Sequence, residues 1–314
     1  MKDNYQKFFE TEPVSLKYGE NPHQKAFLYK TAENATFENF SSLELSYNNF
    51  LDMNCSVNIV SEFFDVNAVV IVKHNTPCGV ALGKSLNEAY LKAFDTDPIS
   101  TFGATVAFSK PVDKEIAKHA SSVYLDAVIA PDFDKDALEI LQKNENLRVI
   151  KLNTPLKEIK TMQEQEILLT PFGTLVQETD QKELDKDSFK VVTKSKPSTE
   201  MIEDMVFAWK IAKHVKSNAV VVAKDFKTLS IVGGQTSRID SIETALNRAC
   251  DGAKKAVLAC DGFIPAIDSI QAAAQCRISA IIQTGGTAKD KEVIESANKY
   301  EIAMITTDIR HFKH

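Results

Sequence analysis

A run of β-branched residues, "VVIV" (69–72), ends on Lys73-His74, and the chain continues as Asn75-Thr76-Pro77-Cys78. A histidine with reference pKa near ~6.5 can move protons at neutral pH, and an adjacent ammonium can hold developing negative charge. In open α/β sheets, ligands gather beyond the carboxyl ends of the strands, which is where this pair emerges. Three chemistries fit the stretch: catalysis, a deaminase-type zinc site built on the Pro-Cys, or a Lys and a His simply leaving the core into a solvated loop. The zinc reading needs H-x-E together with P-C-x-x-C. Here no glutamate stands in place after His74, and Cys78 is the single cysteine of "TPCGVALG". No metal is expected.

Other segments carry similar chemistry. "LKYGENPHQKA" (16–26) reads as a turn on Gly19, Asn21 and Pro22 that presents Lys17, Tyr18, His23 and Gln24, though alone it is an ordinary surface turn. "DTDPISTFGATVAFS" (95–109) leads through small residues into an apolar strand, with Gly103 open to close backbone approach. "KSNAVVVAKDFKTLSIVGGQTSRIDS" (216–241) reads as two strands, a Gly233-Gly234 turn and a helix start. That turn is either an anion site with Arg238 as a fixed fork, or a glycine-eased turn with Arg238 a surface cation. It matches neither GxGxxG nor a Walker A loop. "CDGFIPAIDS" (260–269), "QTGGTAKD" (283–290) and "TDIRHFKH" (307–314) each follow an apolar strand. Their plain readings are a loop, a glycine turn capped by Asp290, and a frayed basic tail. Of six histidines, His23, His74, His311 and His314 fall in these segments, which favours the functional reading over separate accidents.

The elements that must position these residues alternate apolar strands with helical stretches, the pattern of an α/β fold. Residues 68–72, 219–223, 256–260, 280–284 and 302–306 read as strands covered on both faces. Ser85…Glu88 forms a capping box, Asp240…Glu243 and Asp268…Gln271 share its spacing, and 198–216 has helical periodicity through Met201, Met205, Ala208, Trp209 and Ala212. The polar stretch 151–197 reads as a peripheral connection, dividing the chain into 1–195 and 196–314, with no tandem sequence repeat. A 44% hydrophobic and 25% charged composition is that of a globular protein, and no apolar run is long enough to span a bilayer. The opening "MKDNYQKFFETEP" has no apolar leader core, so a cytoplasmic protein is expected. Five scattered cysteines imply reduced thiols, and a net charge of −6 provides no field to draw in nucleic acid.

Ten segments occur in register: "KYGENPHQ", "LSYNN", "KHNTPCGVA", "DPISTFGA", "AVIAPDF", "KSNAVVVA", "GGQTSRIDS", "DGFIPAID", "IIQTGGTAKD" and "RHFKH". Together they closely resemble the formyltransferase part of the bifunctional purine-biosynthesis family, the 5-aminoimidazole-4-carboxamide ribonucleotide (AICAR) formyltransferases. The resemblance runs from Leu16 to His314 and is thinnest around 150–195. It implies two cytidine-deaminase-like three-layer α/β/α subdomains and a homodimer with active sites at the subunit interface. The reaction it implies is formyl transfer from 10-formyltetrahydrofolate to the 5-amino group of AICAR. By that match, His74 positions the carboxamide and assists amine deprotonation. Lys73 stabilises the oxyanion and helps protonate the departing folate nitrogen. Lys17, Tyr18, Gly103, Asp126, Asn218, Phe263 and Arg310 match positions that hold the nucleotide, and Arg238, Pro265 and Asp268 match the folate side. The resemblance leaves room for a monovalent cation near the site.

Some positions depart from the family pattern. Lys17 stands where an arginine is usual, keeping a phosphate-binding charge but losing the bidentate fork. Thr76, Thr284, Val232 and the small Gly262 and Ala266 also differ from the usual residues. No cyclohydrolase domain precedes the formyltransferase motifs, so a stand-alone formyltransferase is expected, with a separate IMP cyclohydrolase in the same cell. The competing non-enzymatic reading is a nucleotide sensor or inactive paralogue. The retained Lys73-His74 pair argues against it.

Overall fold

The computed structural model describes residues 11–184 and 189–314, so most of the amino-terminal stretch read for a leader lies outside the described residues. The chain forms two compact units. One holds the described residues up to Thr76 with 84–90 and 99–179; the other holds 77–83, 91–98 and 180–314.

In the first unit, Asn67–Lys73 runs antiparallel to Thr105–Phe108, which continues in parallel to Ala127–Ala130 and Arg148–Leu152. Phe37–Asn39 closes that edge antiparallel to Arg148–Leu152. The second unit repeats these senses. Val220–Lys224 is antiparallel to Val257–Cys260, followed in parallel by Ala280–Gln283 and Ala303–Thr306, with Lys190–Val191 antiparallel at the edge. In each unit the edge strand precedes a long helix, Tyr47–Ser61 or Thr199–Ala212, that packs on the antiparallel pair. The repeat is one of topology; no tandem sequence repeat marks it.

The central strands are buried along their whole length, which requires cover on both faces. In the second unit, Val220, Val222, Leu258, Cys260, Ile281 and Met304 share one core with Ile242, Leu246, Ile270 and Val293 from three helices. Strand alternation turns Val221, Ala259, Ile282 and Ile305 to the other face, where Thr199–Ala212 lies. Helix, sheet and helix thus make three layers, the α/β architecture expected from the strand pattern.

All five predicted strands are present, shifted by a residue or so at their ends, and Ser198 caps Thr199–Ala212 by accepting from Met201 N. Ser85 accepts from Glu88 N at 3.2 Å, one half of a capping box, while the Glu88 carboxylate accepts from Lys84 N. Two expectations on helix starts need correction. Asp240 lies inside Arg238–Ala249, where Ser237 holds the cap position, and Asp268 heads its helix by accepting from Ser269 N. The stretch 151–197 also has more structure than its polar composition suggests. It contains the helix Leu156–Met162 and an isolated antiparallel hairpin, Gln165–Thr170 with Gly173–Glu178. Among the described residues, no helix is long and apolar enough to cross a membrane.

Candidate active site

Asn67–Lys73 does not run out into a loop. Two residues, His74 and Asn75, turn the chain at φ 54° and 58°, and the next strand, Thr76–Gly83, starts at once. Positive φ at both central residues is what a two-residue turn of this hand requires, and Asn and His tolerate it better than most side chains. The turn leaves His74 exposed and Lys73 half-buried. Lys73 Nζ donates to Phe102 O at 2.6 Å, which ties the ammonium to the segment carrying Gly103.

The helix Tyr47–Ser61 organises the rest of the first unit's candidates. Ser46 and Asn49 form a reciprocal capping box that fixes its first turn. Tyr47 N donates to Tyr18 O, and Asn48 Nδ2 to Glu20 O, so the Lys17-Tyr18 turn docks on the helix start. The turn itself is internally tied, with Gln24 Oε1 accepting from Asn21 N and Nδ2. Lys17 and His23 remain exposed. Asn49 Nδ2 donates to Asp126 Oδ2 at 2.5 Å while Arg148 Nη1 holds Oδ1 at 2.6 Å. One turn further along, Asp52 Oδ1 accepts from Asn75 N at 2.5 Å. Burial pushes the Asp52 carboxyl above its ordinary range and the nearby Asp126 adds to this, while the Asn75 bond and the charge of His74 oppose it. Gly103 N donates to Tyr124 O, and Asp126 N to Ala104 O, closing the circuit. Lys17, Tyr18, Lys73, His74, Gly103 and Asp126 are thereby brought together through a helix that the sequence reading had not identified. The sequence pattern marks only "LSYNN" there and gives Asp52 no role.

In the second unit the hub is Asp261. Its Oδ2 accepts from Ser217 Oγ at 2.5 Å, its Oδ1 lies 2.7 Å from Arg238 Nη1, and its carbonyl accepts from His311 N. Asn218, next to Ser217, bonds through N and Nδ2 to Gln235 O in the glycine loop. That loop is not an open anion cradle. Gly234 N donates to Lys216 O, and a Cβ on Gly233 would meet that same carbonyl at 2.4 Å. Nor is Arg238 a surface cation or a free fork, since its side chain is 4% exposed against a fully buried Asp261, and it also donates to Ala219 O. Both readings of the loop give way to a buried ion pair.

The carboxyl-terminal segment is not a frayed tail. Ser217 N donates to Lys313 O, Ser217 Oγ accepts from Lys313 N, and His311 is buried against Trp209 and paired with Asp180. Burial would raise Asp180, but the His311 contact, the Lys182 N–H bond and the charge of Lys213 together outweigh it and hold the carboxyl low. Gly262 has a structural reason to be small: a Cβ there would sit 2.4 Å from the Phe312 ring and 3.0 Å from Arg238 Nη2. Arg310 stacks over the same ring at 4.4 Å. Phe263, Pro265 and Asp268 are exposed on the following loop and helix start. Asp290 does cap the glycine turn, accepting from Gly286 N and Thr287 Oγ1. Burial drives the Cys260 thiol up to about 11, which leaves it inert. Among the described residues, no cluster of three or more His, Cys, Asp or Glu side chains could hold a metal ion.

The AICARFT/IMPCHase bienzyme family matches residues 2–248. The chain is similar to proteins named bifunctional purine biosynthesis protein PurH. It is 49% identical to that of Caldicellulosiruptor bescii over 306 residues, covering 95% of this chain and 59% of the relative. The Aquifex aeolicus protein is 45% identical and that of Oceanobacillus iheyensis 42% identical, each with the same coverage of both chains. The chain thus spans about three fifths of the length of these curated relatives. With most of its length matched, and with the family's motifs carried by both units, the chain belongs to the AICARFT/IMPCHase bienzyme family.

Proposed function

We propose that the protein transfers a formyl group from 10-formyltetrahydrofolate to the 5-amino group of AICAR, as a cytoplasmic step of purine biosynthesis. The observation that supports this best is the Lys73-His74 turn, with an exposed imidazole beside an ammonium anchored on Phe102 O. The amine of AICAR is a poor nucleophile, and His74 takes its proton as the new N–C bond forms. Lys73 balances the charge that builds on the formyl oxygen. The carbon–nitrogen bond to the folate then breaks, and that nitrogen takes up a proton with Lys73's assistance, giving tetrahydrofolate.

In this reading Lys17, Tyr18, Gly103, Asp126, Asn218, Phe263 and Arg310 serve the nucleotide. Pro265 and Asp268 serve the folate directly, and Arg238 supports that side from beneath through its ion pair with Asp261. The subdomains are of the cytidine-deaminase-like type, and a monovalent cation near the site is compatible with the reading. The assay is direct: purified chain, AICAR and 10-formyltetrahydrofolate, with tetrahydrofolate followed over time. Turnover in the wild type and a loss of about 10²–10⁴-fold in His74→Ala are expected for a group that moves a proton. Nucleotide binding without turnover would turn the protein into a sensor. Equal turnover in the variant would remove the role of His74.

The same reading makes the protein a homodimer. Supporting this are the isolated hairpin, with Phe172 fully exposed and Leu168, Leu169 and Leu175 each at least 60% exposed, and the exposed Ile99 and Phe102. Apolar patches of this kind mark interaction sites. Sedimentation should give twice the 34.8 kDa chain mass; a monomer at assay concentration would discard the dimer.

A further inference from the structure

The His74-Asn75 turn holds two residues other than glycine in the left-handed region, a conformation that persists only when the surroundings enforce it. The strand geometry on either side supplies part of that constraint. The other visible constraint comes from Asp52, on the second turn of Tyr47–Ser61, whose Oδ1 takes the Asn75 N–H at 2.5 Å. Its helix is fixed in turn by the Ser46–Asn49 capping box and by the Asn49–Asp126 bond.

The second unit provides an independent instance. Asp225 and Phe226, the two residues between Val220–Lys224 and Lys227–Val232, also have positive φ, at 53° and 55°. Asp204, the sixth residue of Thr199–Ala212 as Asp52 is of Tyr47–Ser61, accepts from both of their N–H groups at 2.9 and 2.8 Å. The same device thus occurs twice in this fold: an aspartate at the same point of the long helix clamps a left-handed turn between two strands.

We propose that Asp52 is a positioning residue for the reaction: by holding the Asn75 N–H it keeps the turn in the one conformation that presents His74. It touches no reacting atom and acts through the backbone. The role in turnover rests on the formyl-transfer reading above; the clamp itself does not.

The test compares Asp52→Ala, Asp52→Asn and the double variant Asp52→Ala with Asn75→Gly. Asparagine keeps an acceptor for the amide and should retain most of kcat. Alanine removes it, and kcat should fall about 10- to 100-fold, the scale of a misplaced catalytic group, with KM for AICAR changed far less. Glycine adopts positive φ without strain, so Asn75→Gly should restore much of the loss in the alanine background. Hydrogen exchange at the Asn75 amide should speed up in Asp52→Ala and not in Asp52→Asn. Asp52→Ser, one bond too short to reach, replaces the alanine variant if that does not fold. An alanine variant with wild-type kcat, an asparagine variant as slow as alanine, or no recovery with Asn75→Gly would each overturn the proposal. A wild type that transfers no formyl group would instead sink the functional reading, and the exchange measurement would still decide whether Asp52 holds the turn.

Discussion

The two left-handed turns occupy corresponding places in the repeated topology yet are held very differently. Asp225-Phe226 puts a bulky aromatic at positive φ, a costly choice. It is secured by two bonds to Asp204 and by an edge-on contact of Phe226 with Phe207 at 6.1 Å. His74-Asn75 uses residue types that enter this region more easily, donates a single bond to Asp52, and leaves its imidazole in solvent. Each turn follows a lysine, Lys73 or Lys224. Only in the first unit is that lysine followed by a histidine. The comparison teaches that the fold supplies the turn in both copies, and that one copy rests its half-buried Phe226 against the helix while the other leaves both turn side chains exposed.

The largest stability effect should therefore come from breaking the doubly held turn. Asp204→Ala removes both acceptors from a site where the aspartate is 7% exposed. Burial raises the Asp204 carboxyl above its ordinary range against the pull of the two N–H bonds, so losing the charge offsets part of the loss. The cost comes from the two turn N–H groups left without their acceptor and is expected to be about 2 kcal/mol. Urea unfolding should show it as a lower midpoint with an unchanged slope. Turnover per folded molecule should stay at the wild-type level, because Asp204 serves a turn without a His74 counterpart. A variant that unfolds normally but turns over slowly would break the contrast between the two copies.

Much of this contrast could not be read from residue order. The apolar strands announced themselves through uninterrupted β-branched and alanine runs, and their alternation with helices gave the layered fold. The helix Tyr47–Ser61 was missed because its sequence, rich in asparagine and serine, has a weak apolar stripe. Its identity comes from the capping box and from packing on the sheet. The short hairpin at 165–178 was missed because its strands are mostly exposed among the described residues, so burial left no periodic signal. Lys73 and His74 were legible as a pair at a strand end. Asp52 and Asp261 were not, since each gains meaning only from partners 23 and 44 residues away. Arg238 was misread for the opposite reason. A cation next to glycines suggests a ligand, whereas here the fold places a buried carboxylate against it.

The smallest effect tests whether Asp52 remains at a cost. Burial raises its folded-state carboxyl above the unfolded value, against the pull of Asn75 and His74 and with Asp126 pushing the same way. Proton uptake at Asp52 therefore favours the folded state, and the ionised carboxylate is a liability above its folded pKa. Stability associated with this group rises as pH falls through that pKa and is absent at neutral pH. Asp52→Asn, which cannot ionise, should be slightly more stable than wild type at neutral pH, and its advantage should shrink steadily on acidification. Paired denaturation curves across that range would show it. If the asparagine variant were less stable at neutral pH and the gap closed in acid, the carboxyl would be depressed, and its charge would stabilise the fold. With the expected sign, the first turn is held by a group that weakens the fold slightly at the pH where His74 works. Burial shifts Asp204 the same way, so the two clamps differ in the number of N–H bonds they hold, one against two, and not in the direction of their pH dependence.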